Sequence, residues 1–252
     1  MNSASFVQSG KEGSFNTHSM PKDAPLISFC STCRDRLWQA EYTIPSNLAI
    51  AHSWDSVEFV LLDYGSTDGL AEWLATLDAS LRRILRYYRT EAQEYNCPHA
   101  KNMAHRLSHG EILYNLDVDN FLHPAVFKEL REVLCEPNVV LHAWSGKLFD
   151  GTFGRIATTR GDFYETRGYD ESFEKMGYQD TDLLARLKRM GRKVCHSKLP
   201  SQAIPNDKPP GWGKMNKRNE AVAKSKSRKP INPDGFGRGT IVDEFGKIQY
   251  LS

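Results

Sequence analysis

Residues 111–120 read EILYNLDVDN. The first six, Glu111 to Leu116, are dominated by apolar and aromatic side chains, as expected of a strand covered on both faces. The run ends in Asp117-Val118-Asp119-Asn120. In extended backbone alternate side chains face the same way, so both carboxylates project to one side and Val118 to the other. Two carboxylates one pleat apart offer oxygen ligands to a hard divalent cation, Mg²⁺ or Mn²⁺, and leave room for substrate phosphates. A lone D-x-D also describes a solvated turn; its position after an apolar strand favours the cation site.

The same pattern recurs upstream. Leu26 to Cys30 and Val57 to Leu62 are apolar runs, the second ending in Asp63-Tyr64-Gly65-Ser66-Thr67-Asp68-Gly69. A helix is expected through Leu48. Leu70, Leu74, Leu77 and Leu81 predict another, and Ile84 to Tyr88 a further strand. Pro98 opens a helix carrying Ala100, Met103, Ala104 and Leu107, and Pro124 one carrying Val126, Phe127 and Leu130. This βαβαβ order predicts an α/β fold, a mostly parallel sheet with helices on both faces. Ligands then bind beyond the carboxyl ends of the strands, where the Asp-bearing turns lie. Further on, Val139 to Trp144 and Arg155 to Thr159 read as strands, 161–177 as a loop, and Thr181 to Met190 as a helix.

The 252 residues suffice for a core without disulfides, and 40% apolar with 25% charged residues excludes wholesale disorder. Five cysteines is an odd number in a chain of this size, which argues against a disulfide framework and for a reducing compartment. Cys30 and Cys33 form a C-x-x-C with no second pair to complete a zinc site, so they read as ordinary thiols. No run of 18 apolar residues occurs, and residues 1–24 lack the apolar core of a secretion signal. They read as a disordered tail, and the expected location is the cytoplasm.

Gly177-Tyr178-Gln179-Asp180-Thr181-Asp182 opens a helix. Asp180 or Thr181 there is either an N-cap or, for Asp180, a general base beside the cation site. Lys101 near a helix start is either an exposed cation or a partner for phosphate. Asp63 at its strand tip is placed to read a base or ribose, while Ser66 and Asp68 serve as caps.

Taken in order, LISFCSTCRDR, LLDYGSTDGL, HAKNMAHRLSHGEILYNLDVDNFLHP and RGDFYETRGYDESFEKMGYQDTDLLARL resemble the GT-A glycosyltransferases of the large inverting family 2. The last segment also resembles a carboxyl-terminal galactosyltransferase signature. The resemblance spans about Leu26 to Met190. It implies a single GT-A domain over 25–207, with a nucleotide-binding half (25–137) and an acceptor half (138–207), followed by a basic carboxyl-terminal extension (208–252). It implies that Asp63, Lys101, Asp117 and Asp119 bind the donor, that Asp117 and Asp119 hold Mn²⁺ or Mg²⁺, and that Asp180 is the catalytic base. Tyr178, Gln179, Asp182 and Phe163 fall on the acceptor side. The implied reaction is metal-dependent inverting transfer of a hexose or N-acetylhexosamine from a UDP-sugar to a glycan, lipid or protein hydroxyl. Tyr64 and Gln179 depart from the family, which usually has an Asp and a Glu there, and no His follows Ile204-Pro205 as a further metal ligand. His196 and Asp207 are weaker substitutes.

Those departures keep a second reading open, a non-catalytic GT-A module that binds a sugar or nucleotide. A third, nucleic-acid binding, rests on the basic end. Residues 208–229 hold eight Lys or Arg and one Glu, so the net charge of +2 averages an acidic body with a cationic segment. No nucleic-acid-binding motif accompanies them. The segment is a solvated tail, a flap over the donor diphosphate, or a contact for an anionic acceptor or the inner membrane face.

Overall fold

The structure is a computed structural model that describes residues 26–92, 94–134, 136–225 and 227–252. The expected disordered tail and Cys135 lie outside the described residues. The four central strands are β1 (Ile27–Cys33), β2 (Val57–Asp63), β3 (Leu85–Arg89) and β4 (Ile112–Asn115), parallel and ordered β3-β2-β1-β4. Every residue of β1, β2 and β4 is buried, which is why these runs lack polar alternation. β1 runs three residues past its expected end, and the Ser31 hydroxyl there donates to the Leu116 carbonyl.

Helix α1 (Leu37–His52), the short α2 (Leu70–Ala75) and α3 (Ala79–Arg82), and α5 (Val126–Leu134) go with the first sheet face, whose core includes Phe29, Phe59, Tyr114 and Phe127. Helix α4 (Cys97–Leu107) covers Cys30, Val60 and Leu62 on the other face. Cys30 and Cys33 therefore enter different cores, and both are free thiols. The leucine period across 70–81 spans a break, because the Asp78 carboxylate accepts from the Ser80 amide and starts α3 afresh.

Beyond β4 the chain adds a two-residue strand β5 (Asn120–Phe121), then β6 (Val139–His142), β7 (Ile156–Thr159), α6 (Arg160–Glu165), α7 (Gln179–Arg189), β8 (Lys193–His196) and β9 (Gln202–Ala203). β7 pairs antiparallel with β4 and β6, β8 runs parallel to β6, and β5 pairs with β9 outside the main sheet. The stretch expected to be loop from 161 contains α6, capped by the Thr159 hydroxyl.

The expected extension, 208–252, is folded rather than a solvated tail: it forms α8 (Trp212–Lys224) and a hairpin of β10 (Gly239–Asp243) and β11 (Ile248–Leu251). β10 pairs antiparallel with β3, completing the nine-stranded order β11-β10-β3-β2-β1-β4-β7-β6-β8. Ile241 is fully buried beneath α4, and Phe236 packs in a third core with Phe163, Tyr169 and Leu187. Among the described residues no helix is long and apolar enough to cross a membrane.

Candidate active site

Leu116 enters the core behind β4, and Val118 follows it two residues later. Asp117 and Asp119 are left facing a cleft of about 1190 Å³ at the carboxyl ends of the central strands. Polar residues of α1 hold this turn from behind. The Thr43 hydroxyl donates to the Val118 carbonyl, and the Asn47 side chain donates to the Asn120 carbonyl (2.8 Å) while accepting from the Leu122 amide (2.8 Å). The sequence reading missed these residues, since Thr and Asn inside a helix carry no signal of what they bond.

Lys101 is only 2% exposed, which sets aside the reading of it as an exposed cation. Its ammonium lies 3.1 Å from Asp117 Oδ1 and 2.9 Å from Asp180 Oδ1, with the Tyr169 ring 5.4 Å away. Burial alone would pull this ammonium down, but the charges of Asp117 and Asp180 overrule it and hold it well above its ordinary value. Asp180, at the start of α7, is also fixed through its second oxygen, which accepts from Gln179 Nε2 at 3.0 Å. Thus Lys101, Asp117 and Asp180, from three separate elements, form one cluster.

Gly154 forms the wall beside it. A Cβ there would lie 2.7 Å from Asp117 Oδ2 and 3.0 Å from Lys101 Nζ, so only glycine fits without displacing the cluster. Asn115 braces the same point, donating to the Gly154 carbonyl (2.8 Å) and to Asp117 Oδ1 (3.1 Å).

Among the described residues Asp119 has no cationic partner of its own. It accepts from Asn120 Nδ2 (2.6 Å) and Asn206 Nδ2 (3.3 Å), and burial, reinforced by the charge of Asp117, pushes its carboxyl up to about 6. A buried carboxylate disfavoured by a neighbouring one is a place where a cation is stabilising. Among the described residues no group of three or more His, Cys, Asp or Glu could hold a metal ion. The donor set therefore fits a hard cation that brings further oxygen ligands, as a metal–diphosphate does, and does not fit a closed structural site.

Other candidates sit elsewhere. Asp63 is fully buried and does not line the cleft. Its carboxylate accepts from the Ser66 amide (2.7 Å) and Tyr87 Oη (2.8 Å) and meets Arg89 at 3.4 Å, contacts that brace the strand tip. Phe163, expected on the acceptor side, is 1% exposed and stacks on His105 at 4.5 Å. Asp182, expected there too, is closed off by Arg186 (2.8 Å) and Arg228 (2.7 Å). Gln179 lines the cleft, but its amide is engaged internally with Gly177 and Asp180. His196 lies at the end of β8 against His142, away from the cleft, whereas Asp207 lines it. Tyr178 lines the cleft as well. At the mouth stand two aromatics not anticipated from sequence, Phe149, 75% exposed, and Trp212, in edge contact at 6.0 Å.

Comparison with known proteins places this geometry. The model of Glycosyl transferase family 2 matches residues 40–195, more than half of the chain. Among solved structures, a mannosyltransferase from Pyrobaculum calidifontis in complex with GDP-Man and Mn²⁺ is similar, with TM-score 0.61 and 18% identity, over 83% of this chain and 66% of that one. A 1–349 fragment of S. aureus TarS gives TM-score 0.55 and 14% identity, over 71% of this chain and 60% of the fragment. A longer S. aureus TarS chain gives 0.56 and 12%, over 80% and 40%. The chain thus spans about two thirds of the first of these and less of the others. No curated protein sequence matches it significantly. At such identities the structural likeness establishes the fold, and the family match establishes descent. The chain belongs to glycosyl transferase family 2 and has the GT-A fold.

Proposed function

We propose that the protein is a metal-dependent inverting glycosyltransferase that moves a hexosyl or N-acetylhexosaminyl group from a UDP-sugar to a hydroxyl of a glycan, lipid or protein. The observation that carries this reading is the Lys101–Asp117–Asp180 cluster in a cleft that Asp119 also lines. Asp117 and Asp119 are the residues that would hold the cation. Bound there, Mn²⁺ or Mg²⁺ supplies positive charge to a leaving diphosphate.

The remaining steps belong to the protein. Gln179 and Lys101 each engage one oxygen of Asp180, which fixes the plane of its carboxylate. From that position Asp180 takes the proton of an acceptor hydroxyl as it attacks the anomeric carbon from the face opposite the diphosphate. Lys101, held protonated, is excluded as the base and offsets the repulsion between Asp117 and Asp180. The cleft exceeds the roughly 300–1,000 Å³ of a typical ligand pocket, which leaves space for donor and acceptor together. Because Phe163 is buried and Asp182 is held by Arg186 and Arg228, the acceptor side is assigned in this reading to Tyr178, already expected there, with Phe149 and Trp212 at the mouth. Uridine as the base rests on the family resemblance, and because the Pyrobaculum neighbour carries GDP-Man, both nucleotides belong in the test.

A thermal-shift screen of UDP- and GDP-sugars with Mn²⁺ should raise the melting temperature by mass action for the true donor. Turnover of that donor should fall about 10²–10⁴-fold in Asp180→Asn with nucleotide binding retained, the usual contribution of a general base. A screen in which no nucleotide sugar shifts the transition removes the donor site. Equal slow turnover in wild type and variant removes Asp180 as the base and leaves the non-catalytic binding module.

A further inference from the structure

Asp180 sits on an uncomfortable turn. Gly177 (φ 103°) and Tyr178 (φ 64°) are both left-handed immediately before α7, and Tyr178 provides no side-chain cap. A non-glycine residue in that region persists only when its surroundings enforce it. The enforcing contacts come from α8. Asn219, 1% exposed, accepts from the Glu174 amide at 2.7 Å through its Oδ1. Its Nδ2 donates to the carbonyls of Gly177 (2.8 Å), Glu174 (3.2 Å) and Met176 (3.4 Å). The backbone of α8 also closes directly on the turn, since a Cβ on Gly177 would stand 3.0 Å from Asn216 Cα. Just past α8, Arg228 grips the far side of the first turn of α7. It donates to both oxygens of Asp182 (2.7 and 2.9 Å) and to Asp170 (2.6 Å).

These contacts come from residues 212–228, outside the part of the chain that matches the family model, which ends at 195. We infer that this segment is an added clamp on the catalytic turn, and that Asn219 is a positioning residue for Asp180. Asn219 acts through the backbone of 174–177 and reaches no substrate. One cation of the basic segment, Arg228, thus serves carboxylates of the same chain. The inference rests on reading Asp180 as the base.

Hydrogen exchange and kinetics on the full chain, wild type and Asn219→Ala, test it together. Amides of residues 174–182 should exchange at least tenfold faster in the variant. Its kcat should fall at least tenfold, while donor KM and the Kd of UDP or GDP with Mn²⁺ stay within twofold, because the clamp does not touch Asp117 or Asp119. Unchanged exchange overturns the clamp. Faster exchange with kcat within twofold of wild type overturns the positioning role, as does a parallel loss of nucleotide binding, which is the mark of general destabilisation. If Asn219→Ala does not fold, Arg228→Gln gives the same readings on the other side of α7. Should wild type turn over no nucleotide sugar, the proposed function fails, yet the exchange comparison still decides whether the clamp exists.

Discussion

Asp119 carries a charge that its surroundings oppose. Its carboxyl is raised from 3.8 to about 6, first by burial and then by Asp117. Between about pH 4 and 6 the folded state keeps a proton that the unfolded chain has released, so this group lowers stability as pH rises through that window. A shift of about two units corresponds to roughly 3 kcal/mol. Asp119→Asn should therefore be more stable than wild type at pH 7.5 by up to about that amount, with the difference vanishing near pH 4. Urea unfolding without divalent cations at several pH values measures it, and a difference independent of pH contradicts the assignment. The comparison is needed because His105 works in the opposite sense. Burial pulls its imidazole down to about 4, so it loses stability as pH falls below 6.5. At this scale the sequence was informative where spacing forces proximity, as for Asp117 and Asp119. It was not decisive for Asp63 and Phe163, whose side chains could face either the cleft or the interior. Only the positions of Tyr87, Arg89 and His105 decide between the two.

Helix α1 shows how an element can depend on residues that its own segment does not contain. Arg36 at its N-cap makes no capping bond, and the Leu37 amide instead donates to Asp68 Oδ2 at 2.7 Å, from the turn after β2. That turn is reciprocally held, with the Thr67 amide donating to Asp35 Oδ1 at 2.7 Å. Removing a cap costs about 1 kcal/mol, which for a chain of this length is about 2–4 °C in melting temperature. Asp68→Ala should lower Tm by about that, and Asp68→Asn, which retains an acceptor oxygen, by less; equal Tm values for Asp68→Ala and wild type would show that the bond contributes nothing. Asp68 was legible as a cap but not as the cap of this helix, because the bond spans 31 residues. The leucines from 70 to 81 teach the same lesson. Their period correctly marks one face, since Leu77 and Leu81 pack on the same core as Leu70 and Leu74, but it does not show that the helix is continuous.

For the molecule as a whole, the central βαβ order could be read from sequence because β1, β2 and β4 are buried apolar runs and a helical segment separates each of the four parallel strands from the next. The carboxyl-terminal part could not. β10 and β11 are short, flanked by Gly, Pro and Lys, and β10 pairs with a strand about 150 residues earlier, so local composition resembles a tail. The structure makes it integral. Burying Ile241 and Phe236 is worth about 1.5–3 kcal/mol each. Removing Arg228 leaves Asp170 without its ion-pair partner and Asp182 with Arg186 alone, and breaking a buried pair costs about 3–5 kcal/mol. Together these losses approach the roughly 5–15 kcal/mol that holds a domain folded. Among the described residues of the basic segment, Lys208, Lys214, Lys217 and Lys229 stay exposed and available to an anionic partner. A chain ending at residue 207 should therefore lose its cooperative thermal transition, measured by circular dichroism and calorimetry, where a solvated tail could be cut away without effect. A triple Lys→Ala change at 208, 214 and 217 should leave that transition within a few degrees of wild type, since surface substitutions cost at most about 0.5 kcal/mol each. A truncated protein melting at the wild-type temperature would return the segment to the status of a tail and take the clamp on Asp180 with it.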